Sequence, residues 1–563
     1  MKMDLIVEGI GKVSLDDRNY LASGGEGQIF VKDDIVYKIF HDKADVISAG
    51  KVKGLSRIKC DNVLRPQHFV YDKGVPIGYT MDFKKNTSPL CKLFTKAFKQ
   101  RNNISNEDIT NLVEKMQDTV ECIHAANCLI VDLNELNILV NKDFTIPYFI
   151  DCDSYAVLPD YPATAIMESI RDYQIKDNNW TEDSDWYSFA ILSFFLWIGC
   201  HPYRGYHPKY GPNDWKLRME KGASVFDKDA KVPAVCNDLG IIPASHLEWF
   251  KKVFGENKRC QPPAISDIAA VMVSMPQTFN IYNVNGVFMV DILDTCPETI
   301  IDVFNYMGIN YMIGSNHIYK GKAQLPNEIV GSDKVLLCET NSPYPVVCKL
   351  NGGTMYIEEL SGNIIGNIST NGMIYRNGCI YTAYRGKLIE NSFITFGNKV
   401  VHSTRVAANV LDLSTQFFDG VIFQDLLGKK HITLPFEKGK CSVIHTKELD
   451  GYRILDARSE RNVCGVMAEK GGTYHCFVFT FNSDYTSYTL RVTKDVPYSE
   501  INLTVLPNGI AVMVNNGDAE IFKDSNVKVI DNPPFNATTK LYNYSGSACY
   551  IDGKEIKSVK MKK

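Results

Sequence analysis

The sequence lacks the marks of several functional classes. Its 16 cysteines include no pair at two-to-four-residue spacing, which excludes zinc-ribbon and thioredoxin patterns. Neither sign of charge dominates: 61 Lys and Arg stand against 65 Asp and Glu, a net charge of −4, so no nucleic-acid partner is expected. The longest mostly apolar run, Phe189–Cys200, is too short to span a bilayer and reads as a buried core helix, so no membrane partner is expected either. The stretch Met1–Val13 carries acidic residues and no small-residue cleavage site, which makes it a poor export signal. A cytoplasmic protein with reduced, mostly buried cysteines is therefore expected. The basic cluster Lys554, Lys557, Lys560, Lys562 and Lys563 reads as a solvated tail.

What is present is ordinary globular material, 45% apolar and 22% charged over 563 residues, enough for about three to four domain-sized units. Before about residue 278, strand and helix patterns alternate. Ser105 and Asp108 form a capping box for a helix whose apolar face runs Ile109, Leu112, Val113, Met116, Val120 and Ile123. Lys92, Lys96, Lys99 and Arg101, just before it, read as a solvated basic face. Beyond residue 278 the helical period fades. Short β-branched and aromatic runs such as Val335–Cys338, Thr354–Ile357 and Cys476–Phe481 alternate with Asn351-Gly352, Asn371-Gly372, Asn377-Gly378, Asn508-Gly509 and Asn516-Gly517, the chemistry of hairpin turns. The expectation is an α+β part followed by an all-β domain, with a β-propeller of six or seven blades fitting the length best.

Two segments carry chemistry. Leu21-Ala22-Ser23-Gly24-Gly25-Glu26-Gly27-Gln28-Ile29-Phe30 leads into Ile35-Val36-Tyr37-Lys38-Ile39-Phe40. Glycines let a backbone close over phosphates with its N–H groups facing the anion. An isolated glycine cluster is more often a plain turn, but Lys38 in an apolar strand needs an anionic partner, which makes the two readings about equal. The second segment, Ile130-Val131-Asp132-Leu133-Asn134-Glu135-Leu136-Asn137-Ile138-Leu139-Val140, is followed by Phe149-Ile150-Asp151-Cys152-Asp153-Ser154. A hairpin here gathers Asp132, Asn137 and Asp151, oxygen ligands suited to a hard cation, with one aspartate placed to deprotonate a hydroxyl.

In order and spacing these residues resemble the protein-kinase signature set. Gly24 and Gly27 match two glycines of the nucleotide loop, with Gly25 between them, Ala22 at the first glycine position and Ile29 in place of the valine. Lys38 matches the strand lysine, Asp132 the catalytic-loop aspartate, Asn137 the magnesium asparagine and Asp151 the aspartate of D-F-G. Asp185-Trp186-Tyr187 resembles the start of a central helix, and Arg259 a late anchoring arginine with Glu168 as its partner. The D-L-N-x-x-N, I-D-x-D-S and G-G-E-G signatures resemble a divergent bacterial protein-kinase-like family over residues 15–278. The resemblance implies a bilobal kinase-like fold with an N-lobe over 1–84 and a C-lobe over 85–278, followed by the all-β domain over 279–563. It implies ATP and Mg as cofactors, Asp132 and Lys38 as catalytic residues, Asn137 and Asp151 as metal ligands, and Met81, Asp82 and Phe83 beside the adenine. The sequence departs from the pattern at Asn134, where a lysine is usual, at Cys152-Asp153, where Phe-Gly is usual, and over Ala44–Ile58, where no glutamate stands to pair with Lys38. The expected function is a Ser/Thr protein kinase whose β-rich domain recruits a protein substrate or regulatory protein. The alternative is a nucleotide-binding pseudokinase scaffold with an interaction platform.

Overall fold

The computed structural model describes residues 2–163, 166–211, 214–232, 236–265, 280–281, 287–396, 399–523, 526–531 and 533–562. The chain divides into two compact units, Met3–Leu15 with Phe30–Asn283, and Met1–Lys2 with Asp16–Ile29 and Val284–Lys563. The expected boundary at 278/279 lies outside the described residues. The glycine cluster, within Asp16–Ile29, belongs to the same unit as the β-rich region.

The N-terminal strands are β1 (Lys2–Val7), β2 (Gly11–Asp16), β3 (Tyr20–Ser23), β4 (Gly27–Lys32), β5 (Ile35–Phe40), β6 (Phe69–Asp72) and β7 (Val75–Asp82). Strands β1, β6, β7 and β5 are neighbours in that order within one sheet. The apolar residues of β5 and β7 bury this part of the sheet, and the two strands pair antiparallel with Lys38 opposite Tyr79. Gly78 makes that pairing possible: a Cβ there would lie 1.9 Å from the Lys38 carbonyl oxygen.

The helices are α1 (Ala49–Leu55), α2 (Lys96–Arg101), α3 (Asn106–His124), α4 (Glu182–Ile198), α5 (Trp215–Lys221) and α6 (Ala244–Phe250). Helix α3 begins at a capping box in which Ser105 and Asp108 satisfy each other's backbone N–H groups. Its apolar face is buried throughout. Helix α4 is buried on nearly every side and ends at Gly199 in the left-handed region, as an apolar helix at the centre of a core requires. Lys99 is also buried and donates from Nζ to the Leu196 carbonyl. A cation at a helix C-terminus satisfies an otherwise orphaned carbonyl, so Lys99 is not part of a solvated face. Burial, with Lys96 nearby, brings its ammonium down to about 7. The cysteine expectation also needs correction. Cys60 and Cys122 are joined as a disulfide with Cα atoms 6.4 Å apart, within the range such a bond spans. Their separation of 62 residues gave no signal of it.

Among the described residues the β-rich region forms seven four-stranded sheets. Six follow in chain order over residues 300–328, 334–369, 373–409, 415–445, 453–494 and 502–530; the seventh joins three strands within 540–561 to Phe288–Thr295. In that sheet Phe288 pairs with Met561 and Thr295 with Glu555, antiparallel. The basic C-terminal run is therefore largely a strand, Glu555–Met561, and not a tail; Lys557 pairs with Asp552 and Glu555. The apolar cores lie between sheets. One joins the first and second through Tyr311, Ile313, Leu337 and Val347, and another joins the seventh to the first through Ile551, Ile556, Ile300 and Met312. Asn377-Gly378 and Asn516-Gly517 make tight turns with positive φ at both residues, the geometry expected of them. Asn371-Gly372 instead connects two sheets.

Two polar residues tie parts of this unit together. Tyr20 is buried; its hydroxyl donates to Asp425 Oδ1 at 2.9 Å and accepts the Gly428 N–H at 3.0 Å. Arg376 is buried and donates to the carbonyls of Pro435 at 2.6 Å, Gly420 at 2.7 Å and Arg461 at 2.5 Å, and to Ser459 Oγ at 3.1 Å. It thereby joins the third, fourth and fifth sheets. Charge-assisted hydrogen bonds contribute about 1.5–3 kcal/mol each, and orphaned buried carbonyls add a desolvation penalty. Arg376→Met is expected to destabilise this unit by roughly 3 kcal/mol or more, seen as a lower midpoint of its transition in denaturant unfolding of the full chain.

Candidate functional site

The site grows from one buried carboxylate. Asp185, in the first turn of α4, is fully buried. It accepts the N–H groups of Ile130 and Val131 at 2.8 Å each, and its Oδ2 lies 2.9 Å from His124 Nε2. These bonds hold Val131 at φ 63°, a rare conformation for a β-branched residue. A strained residue of this kind costs about 1–3 kcal/mol, whereas two hydrogen bonds to a buried carboxylate return about 1.5–3 kcal/mol each. The bend therefore persists.

The bend presents Asp132. Its Oδ1 accepts the Met167 N–H at 2.7 Å, and its Oδ2 accepts Asn137 Nδ2 at 3.2 Å. Asn134 is buried and caps the same loop, accepting the N–H groups of Leu136 at 2.8 Å and Asn137 at 3.1 Å. At this position it is a loop-forming residue, using a side chain suited to bonding its own backbone. The strands Ile138–Val140 and Pro147–Phe149 pair antiparallel with Ile138 opposite Phe149, and the Ile150 N–H donates to the Asn137 carbonyl at 2.9 Å. The hairpin thus sets Asn137 beside the entry to Asp151.

Asp151 lies in the left-handed region and opens a 3-10 turn over Cys152–Ser154. Lys38 Nζ donates to Asp151 Oδ1 at 2.8 Å and to Asp153 Oδ2 at 2.7 Å, while Tyr79 Oη donates to Asp153 Oδ1 at 2.7 Å. Burial opposes the charge on Lys38, but the two carboxylates outweigh it and hold the ammonium above the ordinary lysine value. Burial alone would raise Asp153; Lys38 and the Tyr79 hydroxyl hold it below the usual carboxylate range instead. Burial pushes the Tyr79 phenol up, and Asp153 and Asp151 push it further, so it remains a donor.

Compared with known proteins, the chain matches no protein-family model and no curated protein. The geometry of its own residues must carry the functional argument.

Among the residues singled out in the sequence, Lys38 and Asp151 are in contact, and so are Asp132 and Asn137. Ala22, Gly24, Gly25, Gly27 and Ile29 belong to the other compact unit. There the Gly24 N–H donates to the Gly27 carbonyl at 2.9 Å, closing the turn between β3 and β4. A Cβ at Gly25 would meet nothing within 4 Å, and neither Gly24 nor Gly25 has positive φ. The turn itself does not require glycine at either position. Met81 and Asp82 lie in β7 opposite Val36 and Ile35, and the Phe83 N–H donates to the Asp34 carbonyl at 3.1 Å. Arg259 does not pair with Glu168. It forms a fork with Asp172, Nε to Oδ2 at 2.6 Å and Nη2 to Oδ1 at 2.8 Å, while Glu168 accepts from Tyr173 at 2.7 Å. Asp172 is four residues on, in a stretch without regular structure, where spacing offers no guide. Sequence reasoning also missed Asp153 and Tyr79 as partners of Lys38. The signal for Asp153 was present, a second acid within a buried run; Tyr79 depends on strand register, which no motif marks.

His201 supports the segment beside Asp132, donating from Nε2 to the Ser169 carbonyl at 2.8 Å and accepting the Tyr203 N–H at Nδ1 at 3.2 Å. Burial brings its value down to about 3, so the folded ring is neutral where an unfolded histidine is charged. That stability is present above the ordinary histidine value and is lost progressively as pH falls from about 6.5 towards 3. A pH series of thermal midpoints is expected to fall across this window, and to fall less in His201→Gln. A second outcome concerns Asp185→Asn, which turns an amide donor towards two N–H donors. Hydrogen exchange at Ile130 and Val131 is expected to accelerate at least about tenfold, equivalent to about 1.4 kcal/mol.

Proposed function

We propose that the chain is an ATP- and magnesium-dependent protein kinase acting on serine or threonine, related to the divergent bacterial protein-kinase-like family that its motifs resemble. The observation that carries this reading is the Asp185-held loop, which presents Asp132 beside Asn137 and leads through a paired hairpin to Asp151 and Lys38. A surface acidic loop has no need of a fully buried carboxylate behind it.

Asn137 and Asp151 supply oxygen donors of the kind a hard divalent cation takes, and they are the residues that would hold magnesium. Bound there, the metal would neutralise charge developing on the phosphates. Lys38, aimed by carboxylates, would hold the α- and β-phosphates. Asp132 orients the acceptor hydroxyl and takes its proton. Positioning and charge stabilisation carry most of the rate.

We read the β-rich region as a seven-bladed β-propeller that recruits the protein substrate or a regulatory protein. Support comes from seven four-stranded sheets, the seventh completed by the first strand of the region, and from cores shared between sheets, the seventh with the first included. The recruiting role follows from fold-level analogy.

A pseudokinase scaffold is the second reading, favoured by the occupancy of Asp132, whose two oxygens accept from Met167 and Asn137. Incubation of the full chain with radiolabelled ATP and magnesium, beside Asp132→Ala and Asp151→Ala, separates the two. Label transfer that falls at least about a hundredfold in both variants is the expected outcome. No transfer with a retained thermal shift by ATP would select the scaffold. Neither transfer nor shift would remove both readings.

A further inference from the structure

The helix that would carry a lysine-pairing glutamate holds none. Helix α1 reads Ala49-Gly50-Lys51-Val52-Lys53-Gly54-Leu55, without a carboxylate. Resting on the kinase reading above, we propose that Asp153, locked by the Tyr79 hydroxyl, is the positioning residue that aims Lys38 at the nucleotide phosphates in place of a helix glutamate.

The two carboxylates on Lys38 differ in a way that assigns their roles. The Asp151 side chain is 36% exposed, whereas that of Asp153 is 4% exposed. A ligand arriving from solvent reaches Asp151 and not Asp153. Each Asp153 oxygen has its own donor, Lys38 Nζ on Oδ2 and Tyr79 Oη on Oδ1, both at 2.7 Å. Asp153 can therefore neither turn nor exchange partners without leaving a buried polar group unsatisfied. Were Asp151 to hold a metal, Asp153 would still be bonded to Lys38.

The backbone around Asp153 is fixed as well. The Ser154 N–H and Oγ both donate to the Asp151 carbonyl, at 3.1 and 2.8 Å, and Cys152 points away, with Sγ 3.2 Å from the Leu64 carbonyl. Helix α1 sits against the chain that follows. A Cβ at Gly50 would fall 1.9 Å from the Tyr161 hydroxyl, and one at Gly54 would fall 2.4 Å from Val157 Cγ1. A helix with this glycine face packs closely on the segment that carries Asp153. The carboxylate on Lys38 is thus supplied by the segment after Asp151 and not by the helix.

The test uses the full chain, with ATP and magnesium as the probe and affinity read by titration. Asp153→Asn is expected to weaken ATP binding about tenfold and to lower kcat further, with the KM for the protein acceptor unchanged. Tyr79→Phe, which keeps the carboxylate, is expected to lose a few-fold. In a Lys38→Met background, Asp153→Asn should weaken binding no further, because its effect passes through Lys38. A purely structural residue would add its loss in that background, and additivity overturns the proposal. Unaltered ATP affinity in Asp153→Asn overturns it as well, while leaving the kinase reading in place. A wild-type chain that takes no ATP overturns both. If Asp153→Asn does not fold, Tyr79→Phe decides, and no loss in that variant overturns the proposal.

Discussion

A carboxylate removed from water must be fully hydrogen-bonded or it unfolds what surrounds it. Asp185 meets this condition by fixing two consecutive amides and a histidine, and the arrangement of the candidate site depends on it. Helix α4 is anchored by apolar burial along nearly its whole length, so the amides are the parts that adapt. Val131 accepts a strained φ, and Asp132 emerges at a defined place. The rigidity of an apolar helix is thereby converted into the position of one polar side chain.

The same logic operates at Lys38, with charge in place of strain. A lysine in a buried strand needs a carboxylate, and α1 offers only a glycine face. The compensating acids are Asp151 and Asp153, one partly exposed and one sealed in. Removing either member of a buried pair leaves an uncompensated charge at a cost of about 3–5 kcal/mol, whereas a half-exposed acid such as Asp151 can exchange partners at lower cost. A site that must both hold a lysine and receive a ligand is served by one acid of each kind.

Legibility in the sequence followed the range of the interaction. The capping box at Ser105, the apolar face of α3 and the tight turns at Asn377 and Asn516 are local, and spacing alone located them. Features that depend on distant segments were not legible. Arg259 found Asp172 instead of Glu168 because the stretch between them has no period to count along. Lys99 looked like one of four solvated cations, but α4 ends above it and its last carbonyls need a donor. Cys60 and Cys122 meet only because the connection after α1 returns to α3. Asp153 is intermediate: a second acid in the buried run Ile150–Ser154 was conspicuous, yet its partner Tyr79 is set by the register of β5 on β7.

In the β-rich region the constraint is one of edges. A four-stranded sheet with two apolar faces cannot stand alone, and apolar cores join the first sheet to the second, the second to the third, the third to the fourth, the fourth to the fifth and the sixth to the seventh. A linear stack would leave its first and last sheets with a bare face. Here the sheet of the last three strands takes Phe288–Thr295 as its fourth and shares a core with the sheet over 300–328. The ends of the region are thereby bonded to each other by backbone pairing, which requires no particular side chains. The absence of a sharp sequence repeat is compatible with this, since the polar links differ from junction to junction: Arg376 joins the third, fourth and fifth sheets, while Arg458 donates from the fifth sheet to the Leu541 carbonyl of the seventh at 2.8 Å.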